Sequence, residues 1–373
     1  MSFAFIHTAD WQLGKTFKRM APDKAGRLEA ARLDAIDGIG ELAMRSDVQH
    51  VLVAGDVFDN EHVADSLLRA AMSRMAAWGG LTWQLLAGNH DLARPGGVWE
   101  RLQRLGIAAN VRPRLVSEAV DLTAGVTLLA APLRSRSSDG DPTLWMDQWA
   151  SAEGTIRIGL AHGSVQGFGS LGEASVLIDP ARRASARLDY LALGDWHGTR
   201  EIAEGVWYSG TPEPERYVAN DPGNALVVRI DGPGSLPVVE VVRVATYSWV
   251  AQRVVVARLA DLEPIERGVD KLGPAQARQL LRLKIEGGMT AEEMAQMGER
   301  LAALEARLMA LEVDATQLRT SFRPEDLASL GEAGAGLRAV AERLAARSKT
   351  GDRDRLPGCG AGAHAIAGAG ATC

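Results

Sequence analysis

The sequence predicts a layered α/β protein, and three observations carry that reading. Apolar runs of strand length recur through residues 1 to 245, helical segments separate several of them, and a cluster of strands closes the region. The runs are "FAFI", "HVLVAG", "LTWQLLAG", "VTLLAAP", "IRIGLAHG", "LDYLALG", "NALVVRI" and "LPVVEVVRV". Between the early ones, "RLEAARLDAIDGIGELAMR" and "DSLLRAAMSRMAAW" combine strong helix formers with apolar residues at helical spacing.

A second region begins near Tyr247. "WVAQRVVVARL" and "ARQLLRLKIEG" read as strands, and a helix is expected from about Thr290 to Leu311. On it Met294, Met297, Leu301, Leu304, Leu308 and Leu311 step by three and four. A seam of about three heptads suits a helix packed on its own small domain better than an intermolecular coiled coil. Residues 348–373 are rich in Gly and Ala without periodicity and are expected to be disordered. Cys359, His364 and Cys373 lie in that tail at no metal-ligand spacing. The expected divisions are 1–246, 247–347 and 348–373.

Bulk properties narrow the class. A chain of 373 residues, 46% hydrophobic and 24% charged, is large enough for one substantial globular domain and a smaller companion. A formal charge of −6 carries no global basic signature, so nucleic-acid contact has to rest on a local patch. "MSFAFIHTAD" lacks the basic flank and apolar length of a signal peptide, and no run approaches a membrane span. Two cysteines, both in the tail, exclude a disulfide framework in the body. The expected location is the cytoplasm.

Five apolar runs each stop at residues that bind hard or borderline cations. "FIHTAD" ends at Asp10, "VLVAGDVFDN" presents Asp56 and Asp59, and "WQLLAGNHD" presents Asn89, His90 and Asp91. "IGLAHGS" ends at His162, and "YLALGDWHG" offers Asp195 and His197. Sites in open α/β sheets gather at the carboxyl ends of strands, so these five ends can converge. Gly55, Gly88, Gly163, Gly194 and Gly198 sit beside them, where backbone has to approach an ion or phosphate closely. His7 lies inside the first strand and reads as a structural group.

The ordered set GDVFD, GNHD, AHG and GDWH, with "HTADWQLGK" before it and "YSGTPEPERY" after it, resembles the calcineurin-like metallophosphoesterases. Within them it is similar to the SbcD/YhaO type of DNA repair exonuclease, over roughly residues 3 to 245. The resemblance implies a four-layer αββα sandwich followed by a smaller α+β capping domain. It also implies two divalent ions. One would be held by Asp10, the position of Gln12, Asp56 and His197. The other would be held by Asp56, Asn89, His162 and the position of Asp195. His90 would stand beside the scissile phosphate, with Asp91 orienting either His90 or the turn. Two ions about 3.5–4 Å apart acidify a bridging water and clamp the phosphate oxygens for in-line attack.

The chain departs from this pattern as a pair. Where the family has Asp-x-His and Gly-His-x-His, this chain has Asp10-Trp-Gln12 and Gly194-Asp195-Trp-His197. The ligand set gains a negative charge and becomes richer in oxygen, which favours manganese, with magnesium as the alternative. Gln12 either coordinates through its carbonyl oxygen or holds a water.

Lys15, Lys18 and Arg19 follow the first motif, and Arg134 and Arg136 follow "VTLLAAPL", as candidate DNA contacts. Trp11 and Trp196, each beside a ligand, either stack a base or pack in the core. The expected function is metal-dependent hydrolysis of DNA phosphodiesters by an exonuclease of repair or recombination. A phosphatase or phosphodiesterase for small nucleotides, and a DNA-binding subunit with a weakened site, are the alternatives. By resemblance, the expected partners are DNA and a coiled-coil ATPase of the SbcC type, with a homodimer as a further arrangement.

Overall fold

The computed structural model describes residues 2–135, 140–168, 176–321 and Arg343. In chain order it begins with β1 (Phe3–Thr8), α1 (Pro22–Arg45), β2 (His50–Val53), α2 (Asp65–Ala77), β3 (Thr82–Leu86), α3 (Val98–Leu105) and β4 (Val111–Arg114). Next come β5 (Glu118–Thr123), β6 (Val126–Ala131), β7 (Ile156–His162), β8 (Ser164–Val165), β9 (Leu177–Ile178), α4 (Arg182–Ser185) and β10 (Tyr190–Gly194). Then follow β11 (Arg200–Ala203), β12 (Val206–Tyr208), β13 (Asn224–Ile230) and β14 (Val238–Arg243). The last elements are β15 (Ser248–Val256), α5 (Glu263–Asp270), β16 (Gln279–Met289), α6 (Ala291–Glu305) and β17 (Ala310–Thr320).

Two mixed six-stranded sheets form the body, in the orders β14-β13-β1-β2-β3-β4 and β11-β12-β10-β7-β6-β5. Within them β1, β2, β3 and β4 run parallel, as do β6, β7, β10 and β12. The sheets face each other across one core that joins Phe5, Val51 and Leu85 to Ile158, Leu160 and Tyr190. Strands β6, β7 and β10 are buried along their whole length, which explains their continuous apolar reading.

Helices α1 and α2 cover the outside of the first sheet. In α1 the buried positions Leu28, Arg32, Ile36 and Ile39 step along one face, and Pro22 opens the helix. Gly40 belongs to that face because a Cβ there would lie 2.4 Å from the Trp78 ring. The outer face of the second sheet is covered differently from the expected sandwich. Among the described residues it carries the helical turn Leu144–Asp147, the four-residue α4 and the β8–β9 ribbon.

The three-stranded sheet β15-β16-β17 is wholly parallel and has its own core around Leu283, Ile285, Met297 and Leu304. Tyr247, Leu280 and Met309 tie it to Phe17, Leu28 and Ala31 of the body. Thr290 caps α6 in a reciprocal box with Glu293. The helix ends at Glu305, six residues before the expected Leu311. Leu308 lies in the turn and Leu311 in β17, where it pairs with Leu281. Both still feed the same core, so the three-and-four spacing continued past the helix end. The tail 348–373, including Cys359, His364 and Cys373, lies outside the described residues, as does Arg136. Among the described residues no helix is long and apolar enough to cross a membrane.

Candidate metal centre

Parallel pairing brings the five strand ends together. β1, β2 and β3 release Asp10, Asp56 and the Asn89–His90 turn side by side. β7 and β10 release His162 and Asp195 from the facing sheet. The loops after β1 and β2 run as one bonded pair, with Asp10 N donating to Gly55 O at 3.1 Å and Gln12 N to Asp56 O at 2.9 Å. Asp195 N closes the gap between sheets by donating to both carboxylate oxygens of Asp10, at 3.1 and 3.2 Å.

The backbone is strained where these residues turn. Among the described residues seven non-glycine positions have positive φ, and Asp10, Gln12, Asp56 and Asp195 are four of them, at 54°, 45°, 54° and 108°. Such conformations cost about 1–3 kcal/mol each and persist where the surroundings impose them. Two glycines show how closely the walls meet. A Cβ on Gly55 would stand 2.2 Å from His162 Nδ1, and one on Gly88 would stand 2.2 Å from Asp56 Oδ1.

One half of the site is a cup of acceptors. Asp10, Asp56 and His162 are buried and each place a ligand atom within 4.8 Å of the other two, which suits a single cation. His162 Nδ1 lies 2.8 Å from Ala54 O, an acceptor only, so that nitrogen carries the proton and Nε2 points into the cup. Around Nε2 stand Asn89 Oδ1 at 3.0 Å, Asp56 Oδ1 at 3.5 Å and Asp195 Oδ1 at 3.9 Å. Burial disfavours charge on His162, but the carboxylates of Asp56, Asp10 and Asp195 outweigh it and raise its pKa to about 9. Burial is the main cause that raises Asp10 to about 6. Three carboxylates in so little water call for positive charge, and the donor set fits a divalent ion. Ser164, which the sequence reading missed, donates its hydroxyl to Asp195 Oδ2.

The other half is bonded within itself. Gln12 Nε2 lies 3.2 Å from His197 Nε2, while Gln12 Oε1 accepts from Lys15 Nζ at 2.9 Å. His197 Nδ1 lies 3.0 Å from Glu215 Oε1, and Glu215 Oε2 receives Lys15 at 2.7 Å and Arg32 at 3.3 Å. Burial pushes Glu215 up, but His197, Arg32 and Lys15 hold it well below the carboxylate range. Glu215 and Arg32 were not anticipated as site residues. Glu215 sits in the quoted "YSGTPEPERY" turn, and the neighbouring Glu213 accepts from the backbone N–H groups of Thr246 and Tyr247, where the chain leaves for the third sheet.

The remaining expectations sort by burial. His90 stands at the rim with a 40% exposed side chain, Nδ1 lying 2.6 Å from Asp59 O and Nε2 lying 3.9 Å from Asp56 Oδ2. Asp91, expected to orient either His90 or the turn, bonds to the turn. It is fully buried and accepts from Gly88 N at 2.7 Å and Phe58 N at 3.1 Å, with no bond to the His90 ring. Trp11 is 2% exposed, donates to Thr8 Oγ1 and packs edge-on against Trp83, so it is a core residue. Trp196 is half-buried against Phe168. Lys18, Arg19 and Arg134 are exposed, whereas Lys15 is committed to Gln12 and Glu215. Arg134 lies with Arg94 and His62 at a separate hollow.

Comparison with known proteins adds a family. The family described as calcineurin-like phosphoesterase matches residues 3–199. The D chain of nuclease SbcCD from Bacillus subtilis (strain 168) is 30% identical over 90 residues, which is 23% of this chain and 21% of that protein. The chain therefore matches about a fifth of that relative's length. A Thermus thermophilus protein shares 11% identity at TM-score 0.41, over 65% of this chain and all of that one. A purple acid phosphatase from yellow lupin seeds shares 13% at TM-score 0.40, over 65% of this chain and 52% of the phosphatase.

Proposed function

The chain belongs to the calcineurin-like phosphoesterase family, and from that premise we propose that it is a metal-dependent phosphodiesterase acting on DNA, an exonuclease of repair or recombination. The metal is manganese in this reading, because oxygen donors outnumber the single imidazole in the cup. Asp10, Asp56, Asn89, His162 and Asp195 would hold a divalent ion, which would supply an acidified water and positive charge for phosphate oxygens.

The chain's own residues do the rest. Ala54 O holds the proton on His162 Nδ1, so once the proton on Nε2 is displaced by an ion the ring offers that lone pair to the cup without turning. At His90 the acceptor Asp59 O keeps a proton on Nδ1, so Nε2 at the rim is the nitrogen that, in the imidazolium form, would give its proton to the leaving oxygen and end as the neutral ring. The backbone N–H of His90 donates to Asp56 Oδ1 at 2.9 Å and aims that carboxylate.

A single observation carries the choice of DNA. A groove of about 560 Å³ begins at Lys15 and Glu215 and runs between the body and the third sheet. Its walls include Lys18, Arg19 and Arg282 with the aromatic rings of Phe17, Tyr217 and Trp249. Tyr217 and Trp249 meet edge to face at 4.9 Å, and the Arg282 guanidinium lies 4.1 Å from the centre of the Tyr217 ring. Cations interleaved with aromatic rings suit a polynucleotide backbone and its bases better than a lone mononucleotide phosphate. In this reading the third sheet caps the site and shapes DNA access, and a coiled-coil ATPase is the partner. Linear duplex DNA and a small aryl phosphodiester, each with and without manganese, provide the test. Manganese-dependent loss of DNA is expected, abolished in His90→Ala; turnover of the small ester alone would overturn the assignment.

A further inference from the structure

We propose that this chain holds one divalent ion, in the cup of Asp10, Asp56, Asn89, His162 and Asp195, and that the Lys15 ammonium occupies the role of the other ion. The proposal rests on the metal-dependent reading above and concerns only the half of the site that contains Gln12 and His197.

Donor capacity carries the argument. To hold an ion there, His197 has to offer the Nε2 lone pair and Gln12 its carbonyl oxygen. Both are taken. The Gln12 amide nitrogen lies 3.2 Å from His197 Nε2, and its oxygen accepts from Lys15. The other ring nitrogen of His197 is bonded to Glu215, so the imidazole is held from both ends. An imidazole at position 12 would present one lone pair to the same space. The amide presents both an N–H and a C=O, and the fold uses both for protein partners.

Charge points the same way. Lys15 and Arg32 converge on Glu215, and Lys15 Nζ also lies 3.7 Å from Asp59 Oδ1. This cluster already contains its cations. A dication added beside the ammonium would meet its repulsion, and Glu215, the carboxylate in contact there, is already matched by Lys15, Arg32 and His197. Lys15 remains 27% exposed, so its ammonium can still meet a phosphate oxygen arriving from the groove. An ammonium neutralises phosphate charge but does not acidify water to the extent that a metal does, so its part is positioning and charge.

Metal content tests this without reference to turnover. Purified full-length protein is saturated with manganese, separated from free metal and analysed by mass spectrometry and electron paramagnetic resonance. One ion per chain and a mononuclear spectrum are expected. Two ions with an exchange-coupled spectrum overturn the proposal and leave the metalloenzyme reading intact, whereas no bound manganese removes both. Lys15→Met is expected to melt earlier, because Glu215 and Gln12 lose a partner, yet to keep one ion while binding inorganic phosphate at least tenfold more weakly in the manganese form. Unchanged phosphate affinity overturns the role given to Lys15.

Discussion

The two halves of the site handle buried charge in opposite ways. On one side Asp10, Asp56 and Asp195 crowd around His162, the titration of both Asp10 and His162 is displaced, and the balance is left to an added cation. On the other, Glu215 is matched by Lys15, Arg32 and His197, all supplied by the chain. Buried carboxylates are tolerated in both, yet only the first is built to need something from outside. The difference separates a half that needs an added cation from one that supplies its own.

Asp56→Asn attacks the first half and should have the largest effect. The substitution removes a carboxylate that touches the His162 side and the His90 backbone. Phosphoester hydrolysis should fall by about 10³-fold or more, with manganese binding lost by calorimetry. Metal-free protein should at the same time gain about 1 kcal/mol of stability, since like charges have been thinned. An Asp56→Asn protein that melts earlier than wild type without metal would mean the cup is not in charge excess.

Glu215→Gln is the matching cut in the second half, and its sign on stability should be reversed. A glutamine there keeps one acceptor oxygen but no charge, so buried Arg32, Lys15 and His197 would lose the carboxylate they share, and an NH2 group would face one side of the cluster. Removing one partner of such a cluster costs about 3–5 kcal/mol. Urea unfolding should report that loss, with one manganese still bound per chain. A stable Glu215→Gln protein would erase the contrast between the halves.

Much of the first half is legible in the sequence, and little of the second. Asp10, Asp56, Asn89, His162 and Asp195 each follow an apolar run, and all but Asp10 adjoin a glycine, a pattern visible without knowing which strands pair. The Glu215 cluster joins residues 183 positions apart, so only the finished fold places Arg32 against Glu215. One clue was present. Arg32 sits four residues from both Leu28 and Ile36, on the apolar face of α1, where a cation needs a buried partner. The end of α6 was not legible because Leu308 and Leu311 fill the same core from a turn and a strand.

A third cut compares two fully buried histidines. The shifts run opposite ways: carboxylates raise His162 to about 9, whereas His7 is lowered to about 3, by burial opposed weakly by its bond to Leu193 O. His7 Nε2 donates to that carbonyl at 3.2 Å, so Nδ1 accepts from the Tyr190 hydroxyl at 2.9 Å and the ring stays neutral. The unfolded chain takes up this proton near pH 6.5, whereas the folded chain resists until about pH 3. The contribution of neutral His7 is therefore complete above pH 6.5 and declines as pH falls toward 3. His7→Gln can make both bonds without titrating. Its stability should depend less on pH than wild type between pH 6.5 and 4, by about one proton per molecule in urea titrations. Equal slopes would show that His7 does not carry the acid sensitivity.

The smallest effect lies outside both halves, along the groove. Lys18 and Arg19 are exposed and line it beyond Lys15, so any phosphate they meet is one they position rather than cleave. Contacts of that kind act through release of counterions, each changing the slope of log affinity against log salt by about 0.9 on duplex DNA. Lys18→Ala with Arg19→Ala should weaken binding of catalytically silent Asp56→Asn protein to duplex DNA by several-fold at moderate salt. The slope should fall by about two. A comparable loss at every salt concentration would indicate packing damage, because only removal of phosphate contacts changes the slope. In the chain with Asp56 intact, the same pair of substitutions should leave metal stoichiometry untouched, which sets the groove apart from the cup.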